Sequence, residues 1–309
     1  MKATSLRAFD IPKDTGDFPL NVAGKTVELT HLQKIFWPKL GLTKRDLLEY
    51  YATISPVLLP HLRNRAMVMK RFPNGVGGKF FFMKRAPQSR PDWIETCPIL
   101  HPSGTLIDFP MVQDLASLLW VVNLGCIDLN QWYATCDDVD RPDYMSFDLD
   151  PVPPATFADV RKAALALNDH LAQSKLRAWP KTSGSRGIHI YVPIRRGPKQ
   201  KEVWEAAKKI SMAAAEKYPE ILTIQYRKEK RPPKHVLIDY NQNQWGRTLA
   251  SVYSVRPTED ATVSAPVTWD EVSDGIDIRG FTLESMPERI AKKGDLFAPL
   301  LKKTGRAVI

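Results

Sequence analysis

At 309 residues, 43% of them hydrophobic and 25% charged, the chain has the composition of a globular protein with a substantial core, which excludes fibrous and disordered classes. A formal charge of +10 points to a polyanionic partner. No apolar run is long enough to span a bilayer, and the N-terminal MKATSLRAFDIPKD lacks the apolar core of a signal peptide. Cys97, Cys126 and Cys136 form neither a disulfide framework nor a CxxC pair, and none has a His at zinc-ligand spacing. A reducing compartment follows, and the expected location is the cytoplasm, close to the nucleoid.

Residues 1–24 are punctuated by Pro, Gly and Asp and read as an extended N-terminal arm. A short strand is expected at 27–30, then a loop to Leu42. Thr43 is placed to cap a helix whose apolar residues Leu47, Leu48, Tyr51 and Ile54 recur at helical spacing. Residues 67–69 and 80–83 read as strands around the turn Pro73-Asn-Gly75. Asp114 to Asn123 is an apolar helix. Strands at 145–150, 178–181, 188–192 and 235–239 then alternate with amphipathic helices at 157–174 and 204–217. The pattern predicts an α+β chain with a mixed sheet and chemistry at strand ends.

Asp148 and Asp150 flank Leu149, so on a strand both carboxylates project from one face. Adjacent carboxylates repel unless a cation lies between them, and a divalent ion with hard oxygen ligands is the usual solution. An isolated D-x-D is a weak signal and by itself favours a strand running into a solvated acidic turn. Three features move the reading toward phosphoryl transfer. Asp239 ends another apolar strand and offers a third carboxylate. The loop Thr182-Ser-Gly-Ser-Arg-Gly187 has the backbone N–H groups, hydroxyls and Arg186 that suit a triphosphate. His189 follows two residues later. There is no GxxxxGK[ST] P-loop and no GxGxxG opening a helix.

Phe147-Asp-Leu-Asp-Pro151, Lys181-Thr-Ser-Gly-Ser-Arg-Gly-Ile-His-Ile-Tyr191 and Ile238-Asp-Tyr-Asn-Gln-Asn243, in this order and spacing, resemble the polymerase domain of bacterial DNA ligase D, of the archaeo-eukaryotic primase superfamily. The resemblance implies a primase-polymerase fold over 25–300: a central mixed β-sheet carrying the catalytic Asp residues, flanked by helices, plus an N-terminal α/β subdomain. A DNA-binding portion would span 25–110, a catalytic portion 111–300 and a tail 301–309. It further implies Asp148, Asp150 and Asp239 as a catalytic, metal-binding triad for Mn²⁺ or Mg²⁺, with two ions. Ser183, Arg186, His189, Lys70 and Arg256 would contact the NTP or dNTP substrate. Arg231 would be a further basic contact, displaced by at most one residue by Pro232-Pro233. Asn130 stands where some relatives carry His; it can hydrogen-bond but cannot take a proton charge.

For DNA, Lys34 and Lys44 resemble a pocket for the 5′-phosphate at a gap or double-strand break, with His31 in place of an Asn. Phe81 and Phe82 resemble template-stacking aromatics, while strand alternation turns one of the three phenylalanines toward the core, expected to be Phe80. Arg90 is the basic candidate in an end-aligning surface loop within 88–110. The implied task is template-dependent gap filling and end extension in non-homologous end joining, with Ku and a DNA ligase as partners and the ligase supplied from outside these residues. A non-catalytic module that binds 5′-phosphorylated ends and a metal-dependent nuclease are the competing readings.

Overall fold

The computed structural model describes residues 11–309, so the first ten residues of the expected arm lie outside the described residues. The remainder of that arm is not a free extension. β1 (Phe18–Val22) pairs antiparallel with β2 (Lys25–Leu29). Ala23 and Gly24 both take positive φ, 51° and 81°, the geometry of a two-residue hairpin turn. An Ala at that position is a poor turn signal, so the hairpin was not visible in the sequence. The next loop contains a small pair, β3 (Ile35–Trp37) with β4 (Leu42–Thr43).

Thr43 caps α1 (Lys44–Leu62), and the Asp46 side chain returns the bond to the Thr43 backbone N–H, completing a capping box. Pro56 and Pro60 lie inside this helix, four residues apart on its exposed side. Water can serve the carbonyls they leave free, and the helix continues. β5 (Met67–Arg71) and β6 (Phe81–Met83) pair antiparallel, and β7 (Thr96–Leu100) with β8 (Leu106–Pro110) forms a hairpin. α2 (Leu115–Asn123), capped by Asp114, packs on α1. It leads to β9 (Cys126–Gln131), which pairs with the other edge of β5. The sheet β6–β5–β9 therefore joins residues from both sides of position 110.

The larger sheet begins with β10 (Tyr144–Pro151), followed by α3 (Phe157–Gln173), β11 (Trp179–Thr182), β12 (Ile188–Pro193), α4 (Gln200–Lys217), β13 (Leu222–Thr223) and β14 (Val236–Asp239). Its order is β11–β12–β10–β14–β13, antiparallel except for β13 beside β14, so the sheet is mixed as expected. Met145, Phe147 and Leu149 alternate with the acidic face of β10 and are fully buried, and α3 and α4 cover the strand. A 3₁₀ turn at Tyr240–Asn243 follows β14. Past it, α5 (Trp269–Asp274) packs on α3 and α6 (Met286–Lys293) on α1. One apolar core runs from Ile11 to Leu300. Among the described residues no helix is long and apolar enough to cross a membrane.

Two expectations fail here. Cys97 on β7 and Cys136 after β9 are joined by a disulfide, with Cα atoms 5.8 Å apart. Thirty-nine residues separate them in sequence, and only the packing of the β7–β8 hairpin beside Trp132 brings them together. Cysteine spacing therefore gives no warrant for a reducing compartment. Phe80 is likewise not a core residue: it is 51% exposed, with Phe81 at 45% and Phe82 at 58%. It precedes the three-residue edge strand β6, escapes its alternation, and stacks on Phe72 with ring centroids 5.3 Å apart.

Asn243 extends the ladder of β10 beyond the end of β14. Its Oδ1 accepts from Ser146 N–H at 2.9 Å and its Nδ2 donates to Ser146 O at 2.6 Å, all fully buried. Asn243→Ala leaves both backbone groups unpaired and should lower unfolding stability by about 2 kcal/mol or more in denaturant titration. A change within experimental error would show that the ladder does not depend on this amide.

Candidate active site and metal centre

In the register of the larger sheet, Asp148 of β10 lies directly opposite His189 of β12 on one side and Asp239 of β14 on the other. His189 in turn lies opposite Lys181 of β11. Directly opposed residues share a face, so Lys181, His189, Asp148 and Asp239 form one row across four strands. Asp150 stands two residues along β10 on the same face. Oxygen atoms of Asp148, Asp150 and Asp239 come within 4.8 Å of one another.

The carboxylates are held differently. Asp239 accepts from Tyr226 Oη at 2.9 Å, Gln242 Nε2 at 2.7 Å and its neighbour Asn241 N–H at 2.9 Å. Asp148 meets His189 Nε2 at 3.2 Å. Burial, then the charge of Asp239, raises the pKa of Asp148 to about 7, against the opposing pull of Lys181 and Arg256. Asp150 is also raised to about 7, by burial and then by Asp148 and Asp239, with Arg186 and Arg231 opposing. Two of the three carboxylates thus resist ionisation unless a cation joins them. Three hard oxygen donors converging at this spacing could hold a hard divalent cation.

The β11–β12 loop packs against the β10 backbone at Leu149, between the two aspartates of that strand. Ser183 Oγ accepts from Ser185 N–H at 3.1 Å and Gly187 N–H at 3.0 Å, which leaves its own O–H free to donate outward. Gly184 takes φ +69°, and a Cβ there would lie 2.4 Å from Arg256 Cγ and 2.9 Å from the Val263 carbonyl carbon. A Cβ on Gly187 would lie 2.3 Å from Leu149 O of β10. Glycine is required at both positions for the loop to sit this close.

Arg186 is exposed at the tip, on the Asp150 side. Arg231 lies close enough for its charge to favour ionised Asp150, while its guanidinium donates to Gln225 O and Tyr226 O at 3.0 Å. Arg256 pairs with Asp128 at 3.4 Å, and its buried Nε has no protein partner. Asn130 is buried and donates to Asp128, so it braces the partner of Arg256. Lys70 lies 4.3 Å from the Phe80 ring centroid and feels the charges of Asp128 and Arg256, linking the aromatic strand β6 to this cluster.

The other expected residues lie on separate surfaces. Lys34 and Lys44 line one cavity of about 310 Å³ with Arg71, His31 and Thr30. Lys44 is buried and donates to Thr30 O at 2.6 Å; burial, with Lys34 and Arg71 nearby, lowers its pKa to about 8. Lys34 donates to Asn74 at 2.7 Å. His31 holds φ +54°, a backbone shape that Asn adopts more readily. Phe81 and Phe82 are exposed on β6, and Arg71 stacks over Phe81 at 5.1 Å. Arg90 lies between β6 and β7.

Sequence reasoning missed Lys181, Asp128, Tyr226 and Gln242. The available signal for Lys181 and Asp128 was a charged residue at a buried position of an otherwise apolar strand. Tyr226 and Gln242 carry no comparable signal.

A family model for the LigD primase-polymerase domain matches residues 43–297. The chain is 32% identical over 276 residues to the multifunctional non-homologous end joining protein LigD of Mycolicibacterium smegmatis, covering 89% of this chain and 36% of that protein. It is 30% identical to the bifunctional non-homologous end joining protein LigD of Bacillus subtilis, covering 87% and 43%. The chain thus spans less than half the length of these relatives. The solved polymerase domain of Mycobacterium tuberculosis ligase D in complex with DNA superposes with a TM-score of 0.83 at 29% identity, covering 89% of this chain and 98% of that one.

Raised carboxylate pKa values mean that the folded chain holds more protons than the unfolded one between about pH 4 and pH 7. The contribution of Asp148 and Asp150 to stability is therefore present at low pH and lost as pH rises through about 7. Added Mn²⁺ should raise the melting temperature more above about pH 7 than at about pH 5, where protons compete for the same oxygens. Equal shifts at both pH values would argue against cation binding by this pair.

Proposed function

We propose a function from one premise: the chain belongs to the LigD primase-polymerase family. On this reading it is a template-dependent nucleotidyltransferase, joining NTPs or dNTPs to a primer 3′-hydroxyl with release of pyrophosphate. Its task is to fill gaps and extend ends during non-homologous end joining in the cytoplasm. The observation that carries this reading is the convergence of Asp148, Asp150 and Asp239 beside a loop and arginines suited to a triphosphate. A nuclease needs the carboxylates but has no use for such a loop.

The three carboxylates would hold Mn²⁺ or Mg²⁺, whose charge neutralises the triphosphate and favours in-line attack at the α-phosphate. Ser183 O–H, the exposed Arg186 and Arg231 offer donors to phosphate oxygens on the Asp150 side. Arg256, held by Asp128, and Lys70 supply positive charge from the opposite side. Tyr226 and Gln242 fix the orientation of Asp239, so a 3′-hydroxyl approaching it meets a preset oxygen. Catalysis rests on positioning and charge, since the transfer leaves the protein little covalent chemistry.

The DNA would be gripped away from the chemistry. Exposed Phe81 and Phe82 present faces on which any template base can stack. The Lys34–Lys44–Arg71 cavity suits a 5′-phosphate at the far side of a gap. Arg90 adds charge near the β7–β8 hairpin, where broken ends would be aligned. Ku and a DNA ligase would present and seal those ends.

Extension of a primer on gapped DNA with Mn²⁺ tests the reading. Asp148→Ala should lose at least about a hundredfold in rate, and Ser183→Ala should raise the KM for nucleotide. An active Asp148→Ala enzyme would exclude the metal-centred mechanism, and intact DNA binding without any extension by the wild type would favour the end-binding module.

A second experiment addresses the cavity. Gapped DNA should bind more weakly once its 5′-phosphate is removed, and Lys34→Ala should abolish that difference. Affinity should also fall steeply with salt. Equal binding with and without the phosphate retires the assignment.

A further inference from the structure

Trp132, just past β9, is 4% exposed, and its buried Nε1 has no protein partner. It packs in an apolar cluster with Ala66, Val68, Ile99 and Phe109, whose side chains offer no acceptor. The indole also lines a cavity of about 250 Å³ with Lys84, His101, Phe109, Trp245 and Arg247. An acceptor for its N–H therefore has to come from whatever fills that cavity. Trp245 differs: set at right angles to Trp132 with ring centroids 5.1 Å apart, it donates its own Nε1–H to Asp140 at 3.1 Å. The His101 ring stands 5.8 Å from that of Trp245. Lys84 and Arg247 are exposed, and no acidic residue lines the space. These walls suit an occupant that is planar, carries an acceptor and bears negative charge, and a nucleotide has all three properties.

The smaller sheet connects this cavity to the exposed phenylalanines. Phe82 lies opposite Lys70 and Lys70 opposite Asp128, so the three share a face. Val68 and Asn130 form the next row of that face. Trp132 follows Asn130 by two, and its backbone N–H extends the ladder to Ala66 O at 2.9 Å. Lys84 follows Phe82 by two, and both Lys84 and Trp132 line the cavity, as the alternation requires. One face thus leads from Phe82 through Lys84 to Trp132. We propose that the cavity takes one unpaired nucleotide of the template strand, adjacent to the base stacked on Phe82. Its base enters against Trp245 and His101 and accepts from Trp132 Nε1–H, while its phosphate meets Lys84 and Arg247. This rests on the reading that Phe82 stacks on template. Every base offers a carbonyl oxygen or ring nitrogen as acceptor, so the site is indifferent to sequence. A base held in a duplex must first leave its stack, so the cavity selects unpaired positions. A free nucleoside triphosphate brings a divalent ion, for which this wall has no carboxylate; a phosphodiester needs none.

The test compares binding of the full chain to a primer–template duplex with and without a short unpaired 5′ extension of the template. Wild type should bind the extended template about tenfold more tightly. Trp132→Phe keeps an aromatic wall, removes the N–H, and should lose about fivefold of that gain. Arg247→Ala, at an exposed position, should lose a similar factor and flatten the salt dependence. ATP affinity with Mn²⁺ should match wild type in both variants; a parallel fall would assign the cavity to free nucleotide and overturn the strand assignment. Iodinated deoxyuridine placed at successive positions of the extension should photocrosslink to Trp132, Trp245 or His101 at one position and to Phe82 at its neighbour. That measurement uses wild type and needs no variant to fold. Crosslinks to Phe82 with none in the cavity overturn the proposal and leave the template reading standing, whereas crosslinks to neither, with the DNA bound, remove both. Equal affinity of wild type for the two templates overturns the proposal, as does a gain kept in full by either variant.

Discussion

Three carboxylates pressed together on one face of a sheet are the constraint around which this molecule is arranged. Strand geometry leaves them no freedom: Asp148 and Asp150 share a face because they are two apart, and antiparallel register sets Asp239 beside Asp148. With the opposite face of β10 sealed by helices, the repulsion cannot relax by turning the strand. It is tempered instead by basic residues placed around the cluster, Arg186 and Arg231 toward Asp150 and Arg256 toward Asp148, and among the described residues no Lys or Arg forms a direct ion pair with the triad. The three oxygens could hold a hard cation, and burial together with their mutual repulsion raises the pKa of Asp148 and Asp150 to about 7.

From that centre the supporting structure follows. The β11–β12 loop can approach β10 only because Gly187 has no Cβ, and Arg256 can cross it only because Gly184 has none. The stretch that carries Arg256 and Ser264 is stitched to β11 by the Thr182 and Ala265 backbone bonds, which bring Ser264 beside Lys181. Lys70, Asp128 and Arg256 connect the smaller sheet to the larger one. The exposed phenylalanines and the lysine cavity thus sit on the same fold as the carboxylates.

Legibility in the sequence followed local signals. The helices from Thr43, Asp114 and Phe157 carried a cap or a clean apolar stripe; each starts within a residue of its expected position, and the latter two also end within a residue of it, while the first runs on to Leu62. Residues 244–309, with few periodic runs, gave no elements in advance, although they contribute Arg256, Ser264 and two helices. The β1–β2 hairpin lacked the usual turn residues, and Phe80 fell outside the alternation invoked for it. The disulfide between Cys97 and Cys136 depends on a hairpin docking 39 residues away, a contact that spacing does not encode.

By itself the sequence determined the chemistry of the parts: an alternating strand with two aspartates, a Gly/Ser loop with one arginine, a third aspartate closing a strand, and an excess of positive charge. These depend on residue type and on periods of two and 3.6, which are local properties of the chain. Only the tertiary structure decided which of them meet. Register across four strands aligned Lys181 with His189 and the carboxylates, burial raised two aspartate pKa values, and packing bound Asp128 to Arg256. Those outcomes come from contacts between residues up to 128 apart, where the energy lies in desolvation and opposed charge and no window of sequence can hold both partners.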